Sequence, residues 1–293
     1  MKKESVFLGT GAGEMFPNPF CNCAMCQQAR ESKDTRLRSA FLVDETMMID
    51  FGPDVCAASQ HYDAPLYNVE RVLVTHTHED HFDSSAFSIL TMTTLQKCVH
   101  FYFAKEALDW VNKRVDLEKD LVGTFGYILN YLQSSGRICF HEVEPYHTYD
   151  FGDKTVIPVK TNHPGYGEGE FGLNYLICWE KGNWLYASDT GRYPEENIEF
   201  LKEYVQEHGV LDTIIIEGTY GDIDSYDGKS HMSARLLVGE LRRYRDSGLI
   251  NDDTKVYITH INQVQTFSPA EFQEYMDENG NAKVIIAHDG MRL

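Results

Sequence analysis

A histidine-rich stretch follows a short apolar run in the first third of the chain, where Arg71–Asp83 reads R-V-L-V-T-H-T-H-E-D-H-F-D. The run Val72–Val74 predicts a buried strand. Four side chains of metal-binding type come directly after it: His76, His78, Asp80 and His81. His76 and His78 share one side of an extended segment because side chains alternate along a strand. Asp80 and His81 lie where a helix is expected to begin, so they can face a second point. The stretch predicts a site for two divalent cations, and a polar loop closing a core strand is the alternative.

The length and composition of the chain predict an ordinary soluble protein. Its 293 residues suffice for one large α/β domain or two small ones. No window reaches the roughly 18 consecutive apolar residues that a membrane helix needs. The segment that begins at Met1 also lacks the apolar stretch of a signal peptide. We therefore expect no membrane association. The oligomeric state is left open, and a homodimer is among the states the sequence allows.

The seven cysteines form an odd set, and three of them fall in one cluster. This distribution predicts no disulfide framework and fits best with a reducing cytoplasm. The cluster is Cys21, Cys23 and Cys26. Its C-x-C-x2-C spacing places three thiolates within reach of one ion, for which tetrahedral zinc is the natural choice. The cluster is far from the histidines in sequence, which favours a structural zinc site; small buried residues beside a turn are the alternative.

The formal net charge of −19 constrains the partners of the chain. Two divalent cations would offset about four of these charges and leave the protein strongly acidic. Such a surface repels polyphosphate chains, so a long nucleic acid is not expected as a partner. A small anionic substrate remains compatible with the sequence because bound metal ions would set the local field.

Three more residues of ligand type stand at the ends of predicted strands. His163 follows the strand Lys154–Val159 and precedes a glycine-rich loop, which we expect to be mobile. It is either a structural histidine or a ligand beside an open coordination position. Asp189 follows a predicted hairpin and is either a helix cap or a carboxylate that bridges two metals. His260 follows the strand Val256–Ile258.

Glu217 and His231 form a further candidate pair for chemistry. Glu217 ends the apolar strand Thr213–Ile216, and His231 stands where a helix is expected to open. A helix N-terminus disfavours positive charge, so a protonated His231 would depend on Glu217. The alternative for His231 is a helix-capping or surface histidine.

The order of predicted elements indicates an α/β fold. Early strands with hairpins are followed by a helical stretch, Ala104–Arg137, and then by a second set of strands. This order predicts two sheets packed face to face with helices outside, a four-layer αββα sandwich. We expect a single domain over residues 1–293, with the helical stretch as an insertion around 104–137.

The H-x-H-x-D-H pattern at a strand end resembles that of the metallo-β-lactamase superfamily, and the later strand-end residues keep the superfamily's order. The resemblance implies a first metal with three ligands: His76, His78 and His163. It implies a second metal with Asp80, His81 and His260 as ligands, and Asp189 as the bridge. A hydroxide held between the two cations would then be the nucleophile.

Within the superfamily, the chain resembles the phosphoribosyl cyclic phosphate phosphodiesterases of the carbon–phosphorus lyase pathway. Shared features are the early L-G-T-G, the C-x-C-x2-C, an I-D upstream of T-H-x-H-x-D-H, then S-D-T, a late T-H and a terminal D-G-M. That family completes its structural zinc with a histidine three residues after the late T-H. Gln263 occupies this position here, so the fourth zinc ligand is left open.

The segment from Glu217 to Asp222, with His231 downstream, also resembles the tRNA 3′-processing nucleases of this superfamily. The resemblance implies that His231 protonates the leaving group with Glu217 as its partner. The candidate catalytic residues are thus His231, Glu217 and Asp80. Those nucleases carry a basic Gly/Pro-rich arm, which we do not find in this sequence.

We expect a phosphodiesterase that uses two zinc or manganese ions on a small or cyclic phosphodiester. Three alternatives stay open. One is a lactonase or another C–O, C–N or thioester hydrolase, the second is a nuclease of the tRNA-processing type, and the third is a non-catalytic metal-binding or sensing protein.

Overall fold

A computed structural model describes residues 4–92, 97–223, 228–262 and 267–293 of the chain. Six strands form a first sheet in sequential order: β1 (Val6–Gly9), β2 (Ala40–Asp44), β3 (Met47–Ile49), β4 (Arg71–Leu73), β5 (Val99–Phe103) and β6 (Ile138–Glu142). The neighbours from β1 to β3 are antiparallel, and those from β3 to β6 are parallel. Helices accompany this sheet: α1 (Ala24–Ser32), α2 (Val55–His61), α3 (Ser84–Leu90), α4 (Lys105–Glu118) and α5 (Phe125–Ser134). Parallel neighbours need crossover connections, and α2 to α5 supply them.

The second sheet contains seven strands: β7 (Tyr149–Asp150), β8 (Thr155–Pro164), β9 (Phe171–Trp179), β10 (Gly182–Ala187), β11 (Thr213–Glu217), β12 (Lys255–Thr259) and β13 (Lys283–Ile286). Strands β7 to β10 are antiparallel neighbours, and β10 to β13 are parallel ones. The parallel part is again connected by helices: α6 (Glu195–His208), α7 (Ala234–Asp246) and α8 (Pro269–Asn279).

The two sheets pack face to face through aromatic side chains. The ring of Phe41 lies 5.7 Å from that of Tyr186, and Phe7 lies 6.0 Å from Tyr257. Helices α2 to α5 pack their apolar faces on the first sheet, and α6 to α8 pack on the second. The predicted αββα sandwich is therefore confirmed. Among the described residues, no helix is both long enough and apolar enough to cross a membrane.

Most predicted strands occur within a residue or two of their expected bounds, and the helical stretch Ala104–Arg137 contains α4 and α5. One difference concerns the candidate site. Strand β8 continues beyond Val159 to Pro164, across a register shift after Lys160, so that His163 lies inside the strand. The strand extends because its pairing with β9 resumes at Pro164 opposite Phe171.

The expectation about disulfides needs a correction, because the sulfurs of Cys98 and Cys139 are bonded. The two residues are 41 positions apart in sequence, and their Cα atoms lie 6.3 Å apart. The parallel pairing of β5 with β6 brings them together, since His100 lies directly opposite Cys139. A Cα–Cα distance of 6.3 Å is within the usual range for a disulfide. The number of cysteines in a sequence does not show which of them lie close together in the folded chain.

Candidate metal centre

The seven predicted metal ligands converge at one edge of the sandwich. The residues from His76 to His81 follow β4, His163 is the last residue but one of β8, Asp189 follows β10, and His260 follows β12. Three groups have ligand atoms within 4.8 Å of one another: His76, His78 and His163; His76, His81 and Asp189; and Asp80, His81 and His260. The groups share members, so they form one continuous cluster that runs from three imidazoles to a mixed set of imidazoles and carboxylates.

The first end of the cluster consists of three imidazoles. Nδ1 of His78 lies 2.8 Å from Nε2 of His76 and 3.2 Å from Nε2 of His163. Burial lowers the pKa of His76 well below its ordinary value and that of His163 to about 4. Neutral imidazoles carry a lone pair that can bind a cation. The three rings are therefore suited to be ligands of one metal ion.

The second end combines two imidazoles with two carboxylates. Nε2 of His81 and Nε2 of His260 are 3.3 Å apart, and Oδ2 of Asp189 lies 2.8 Å and 3.2 Å from them. Oδ2 of Asp80 lies 3.3 Å from Nε2 of His81 and 3.5 Å from Nε2 of His260. Burial by itself lowers the pKa of His81. The negative charges of Asp189 and Asp80 outweigh burial and raise this pKa well above its ordinary value. The same two carboxylates would favour a cation bound at this end of the cluster.

The outer nitrogens of these histidines are held by other side chains. Oδ2 of Asp50 lies 2.7 Å from Nδ1 of His81. The hydroxyl of Thr75 lies 3.0 Å from Nδ1 of His76, and that of Thr219 lies 2.9 Å from Nδ1 of His260. Such contacts fix the ring orientation and leave Nε2 to face the metal position. The sequence analysis did not find the two threonines.

Backbone conformations around the cluster are unusual for residues other than glycine. Asp50, Asp189 and His260 have φ values of 65°, 51° and 52°, in the left-handed region. Each such conformation costs about 1–3 kcal/mol and persists only where surrounding contacts enforce it. Gly52 is required for a different reason, because a Cβ atom there would lie 2.0 Å from the carbonyl oxygen of Asp80.

The loop after β8 is fastened to the histidine stretch by Glu170. The backbone N–H of Thr77 donates to Oε1 of Glu170 at 2.8 Å, and the Thr77 hydroxyl donates to Oε2 at 2.6 Å. The N–H of Gly167 also donates to Oε2, at 2.6 Å. Glu170 is only 6% exposed. No spacing in the sequence indicated this contact.

Glu217 and His231 meet at the edge of the cluster. Nδ1 of His231 lies 3.1 Å from both carboxylate oxygens of Glu217, which is fully buried. Burial alone would lower the pKa of His231, but the Glu217 carboxylate and Asp189 raise it to about 9. Helix α7 begins at Ala234 with Ser233 as its cap, so His231 lies outside the helix. His231 precedes the first helical residue by three positions.

The cysteine cluster lies apart from the histidines at the start of α1. The sulfurs of Cys21, Cys23 and Cys26 lie within 4.8 Å of one another. A hydrogen bond from the backbone N–H of Cys26 lowers the pKa of Cys23, and burial raises that of Cys26 to about 11. Three convergent sulfurs suit a tetrahedral zinc ion. Gln263, the expected position of the fourth ligand, lies outside the described residues.

Residues 45–261 match the family model of the beta-lactamase superfamily domain. The chain belongs to this superfamily. The resemblance inferred from the H-x-H-x-D-H pattern is thereby confirmed. No curated protein matches the chain.

Solved structures with the metallo-β-lactamase fold resemble the whole chain. A diphosphatase of the PhnP family has a TM-score of 0.68 at 19% identity, with 100% of this chain and 97% of that one covered. Zinc-bound PqqB from Methylobacterium extorquens has a TM-score of 0.69 at 16% identity, with 99% of each chain covered. Human short-form tRNase Z has a TM-score of 0.60 at 16% identity, with 99% and 98% covered. At these identities the similarity shows the fold.

Superfamily members are metal-dependent hydrolases, and this chain is a hydrolase of the metallo-β-lactamase superfamily. The histidine and aspartate ligand atoms of the candidate metal centre are of the kind that a metal-dependent hydrolase needs. Imidazole nitrogens and buried carboxylate oxygens converge in this centre. Nitrogen and oxygen donors of this kind suit divalent metals such as zinc.

Proposed function

We propose that the protein hydrolyses a small phosphodiester, with a cyclic ribose phosphate or nucleotide-like compound as the leading substrate class. The reaction would use two divalent cations, zinc or manganese. One would be held by His76, His78 and His163. The other would be held by Asp80, His81 and His260, with Asp189 shared between them. The observation that carries the proposal is the pair formed by Glu217 and His231 beside this ligand cluster.

Phosphodiester cleavage releases an alkoxide, which is a poor leaving group unless it receives a proton. Bound divalent cations would supply an activated water as nucleophile and positive charge for the phosphoryl oxygens. His231 would donate the proton, since its pKa of about 9 keeps it protonated at neutral pH despite its burial. A hydrolase of lactones or thioesters has less need of this imidazolium.

The position of His231 is consistent with that role. Its Nδ1 is engaged by Glu217, so Nε2 is the nitrogen available to a substrate. Its ring lies 4.7 Å from that of His163 and 5.6 Å from that of His260, beside both ends of the ligand cluster. Glu217 is itself held by the backbone N–H of Thr190, which donates to Oε1 at 2.6 Å. The proton donor is thus oriented by a buried carboxylate that is itself fixed.

The charge of the protein favours a small substrate. With a formal net charge of −19, the chain repels a long polyanion. The helical stretch 104–137 has no excess of either charge, with five basic and five acidic residues. We therefore propose a compact phosphodiester and no appreciable cleavage of tRNA.

The proposal is tested by a substrate screen with zinc-loaded and manganese-loaded protein, and with chelator-treated protein as the control. The panel contains cyclic and linear phosphodiesters, diphosphates, lactones and a tRNA precursor. We expect the phosphodiesters to be hydrolysed fastest. A higher rate on lactones than on every phosphodiester would refute the reaction class, and a higher rate on diphosphates or tRNA would refute the substrate class.

A further inference from the structure

Two copies of a Cys-x-His pattern lie side by side on neighbouring strands, away from the candidate metal centre. The first is Cys98-Val99-His100 at the start of β5, and the second is Cys139-Phe140-His141 at the start of β6. The strands are parallel and in register, with His100 opposite Cys139. Residues two apart point to the same face of a strand, so all four side chains share one face of the first sheet.

The four side chains form one connected cluster. Nδ1 of His100 lies 2.7 Å from Nε2 of His141, and the two rings are stacked with centroids 5.0 Å apart. The sulfurs of Cys98 and Cys139 are bonded to each other, and both lie within 4.8 Å of a ring nitrogen of His100. Two sulfurs and two imidazole nitrogens therefore converge on one small region.

Nothing in the hydrolytic mechanism uses this region. It lies at the starts of β5 and β6, whereas the histidine stretch follows the end of β4, which runs parallel to them. The region borders a cavity of about 440 Å³ that is also lined by Lys97 and Arg71, both paired with Glu70, and by Asp150. All four side chains are partly exposed, so solvent ions can reach them.

We propose that Cys98, His100, Cys139 and His141 bind one zinc ion when the two cysteines are reduced. Two thiolates and two imidazoles are an established tetrahedral zinc set, with Zn–S of about 2.3 Å and Zn–N of about 2.0–2.1 Å. The dithiol and the disulfide are alternative states of one site. Reduction of the disulfide by a thiol reductant consumes two electrons and two protons and oxidises two reductant thiols to a disulfide. Zinc then displaces the two cysteine protons.

A cobalt titration tests the site separately from the other candidate centres. The triple variant Cys21→Ser, Cys23→Ser and Cys26→Ser removes all three thiolates of the competing cluster, and the nitrogen and oxygen donors of the histidine centre give no sulfur-to-cobalt charge-transfer band. We expect one equivalent of that band in the reduced triple variant. The band should be lost when Cys139→Ser is added and retained when Cys178→Ser, a matched change at an unbonded cysteine of β9, is added instead. His141→Ala should weaken cobalt binding by about 10-fold or more.

Wild-type protein gives a second readout that does not depend on the variants. After reduction, zinc should protect Cys98 and Cys139 from alkylation, as measured peptide by peptide with mass spectrometry, and a chelator should remove the protection. Equal alkylation with and without zinc would refute the site, as would the absence of the charge-transfer band. A disulfide that persists in the reductant would refute it as well, because no thiolate would then be available.

Discussion

Replacing Glu217 with Gln keeps the shape of the side chain but removes the negative charge 3.1 Å from Nδ1 of His231. Without this charge, burial is expected to return the pKa of His231 from about 9 to its ordinary value of about 6.5 or below. At pH 8 the protonated fraction would fall from about 0.9 to about 0.03, so a reaction that needs His231 as an acid should slow by roughly 30-fold.

The sign of the pH dependence separates this effect from general damage. In the wild-type protein, hydrolysis of an unactivated diester should decline as the pH rises through about 9, where His231 loses its proton. In Glu217→Gln the decline should begin near pH 6.5 or below, so most of the rate should return at about pH 6.

The assay is the initial rate on an alkyl phosphodiester between about pH 6 and pH 9.5, with metal content and thermal unfolding measured in parallel. The parallel measurements are needed because Glu217 also accepts a hydrogen bond from the N–H of Thr190. A loss of equal size at pH 6 and pH 8, with metal content intact, would refute the proposed coupling between Glu217 and the proton on His231.

Three further substitutions test separate parts of the account. His231→Ala should lower turnover of an alkyl diester by about 10²–10⁴-fold with its metal retained, and the loss should shrink on a nitrophenyl ester; equal losses on both esters would exclude the acid role. Asp189→Ala should lose at least one metal ion and activity without unfolding, as checked by elemental analysis and circular dichroism; a variant with both ions and a near-normal rate would show that Asp189 is not the bridge. Cys23→Ser should lower zinc content and the thermal unfolding temperature but leave the histidine centre filled, and unchanged zinc content would count against a structural site.

The sandwich and the ligand cluster could be predicted because both follow from local patterns. Apolar runs mark the buried strands, and a histidine or aspartate directly after such a run must lie at a sheet edge. Asp189 and His260 were found in this way although 71 positions separate them. The parallel strands β10, β11 and β12 then place their ends side by side.

The contacts that hold the cluster in place could not be predicted, because they join residues that no spacing relates. Thr219 reaches His260 over 41 positions, and Glu170 reaches Thr77 over 93. Threonine and glutamate are also common surface residues, so their type gives no signal. The pairing of Cys98 with Cys139 depends on strand order, which the sequence leaves undetermined.

A manganese titration of metal-free protein tests the central claim most directly. Manganese prefers nitrogen and oxygen donors, so the cysteine clusters should bind it poorly. We expect hydrolysis of a cyclic phosphodiester to be absent without metal and to rise to a plateau at two manganese ions per chain, with elemental analysis giving the same ratio. A plateau at one ion, or a rate that does not depend on metal, would contradict a two-cation phosphodiesterase.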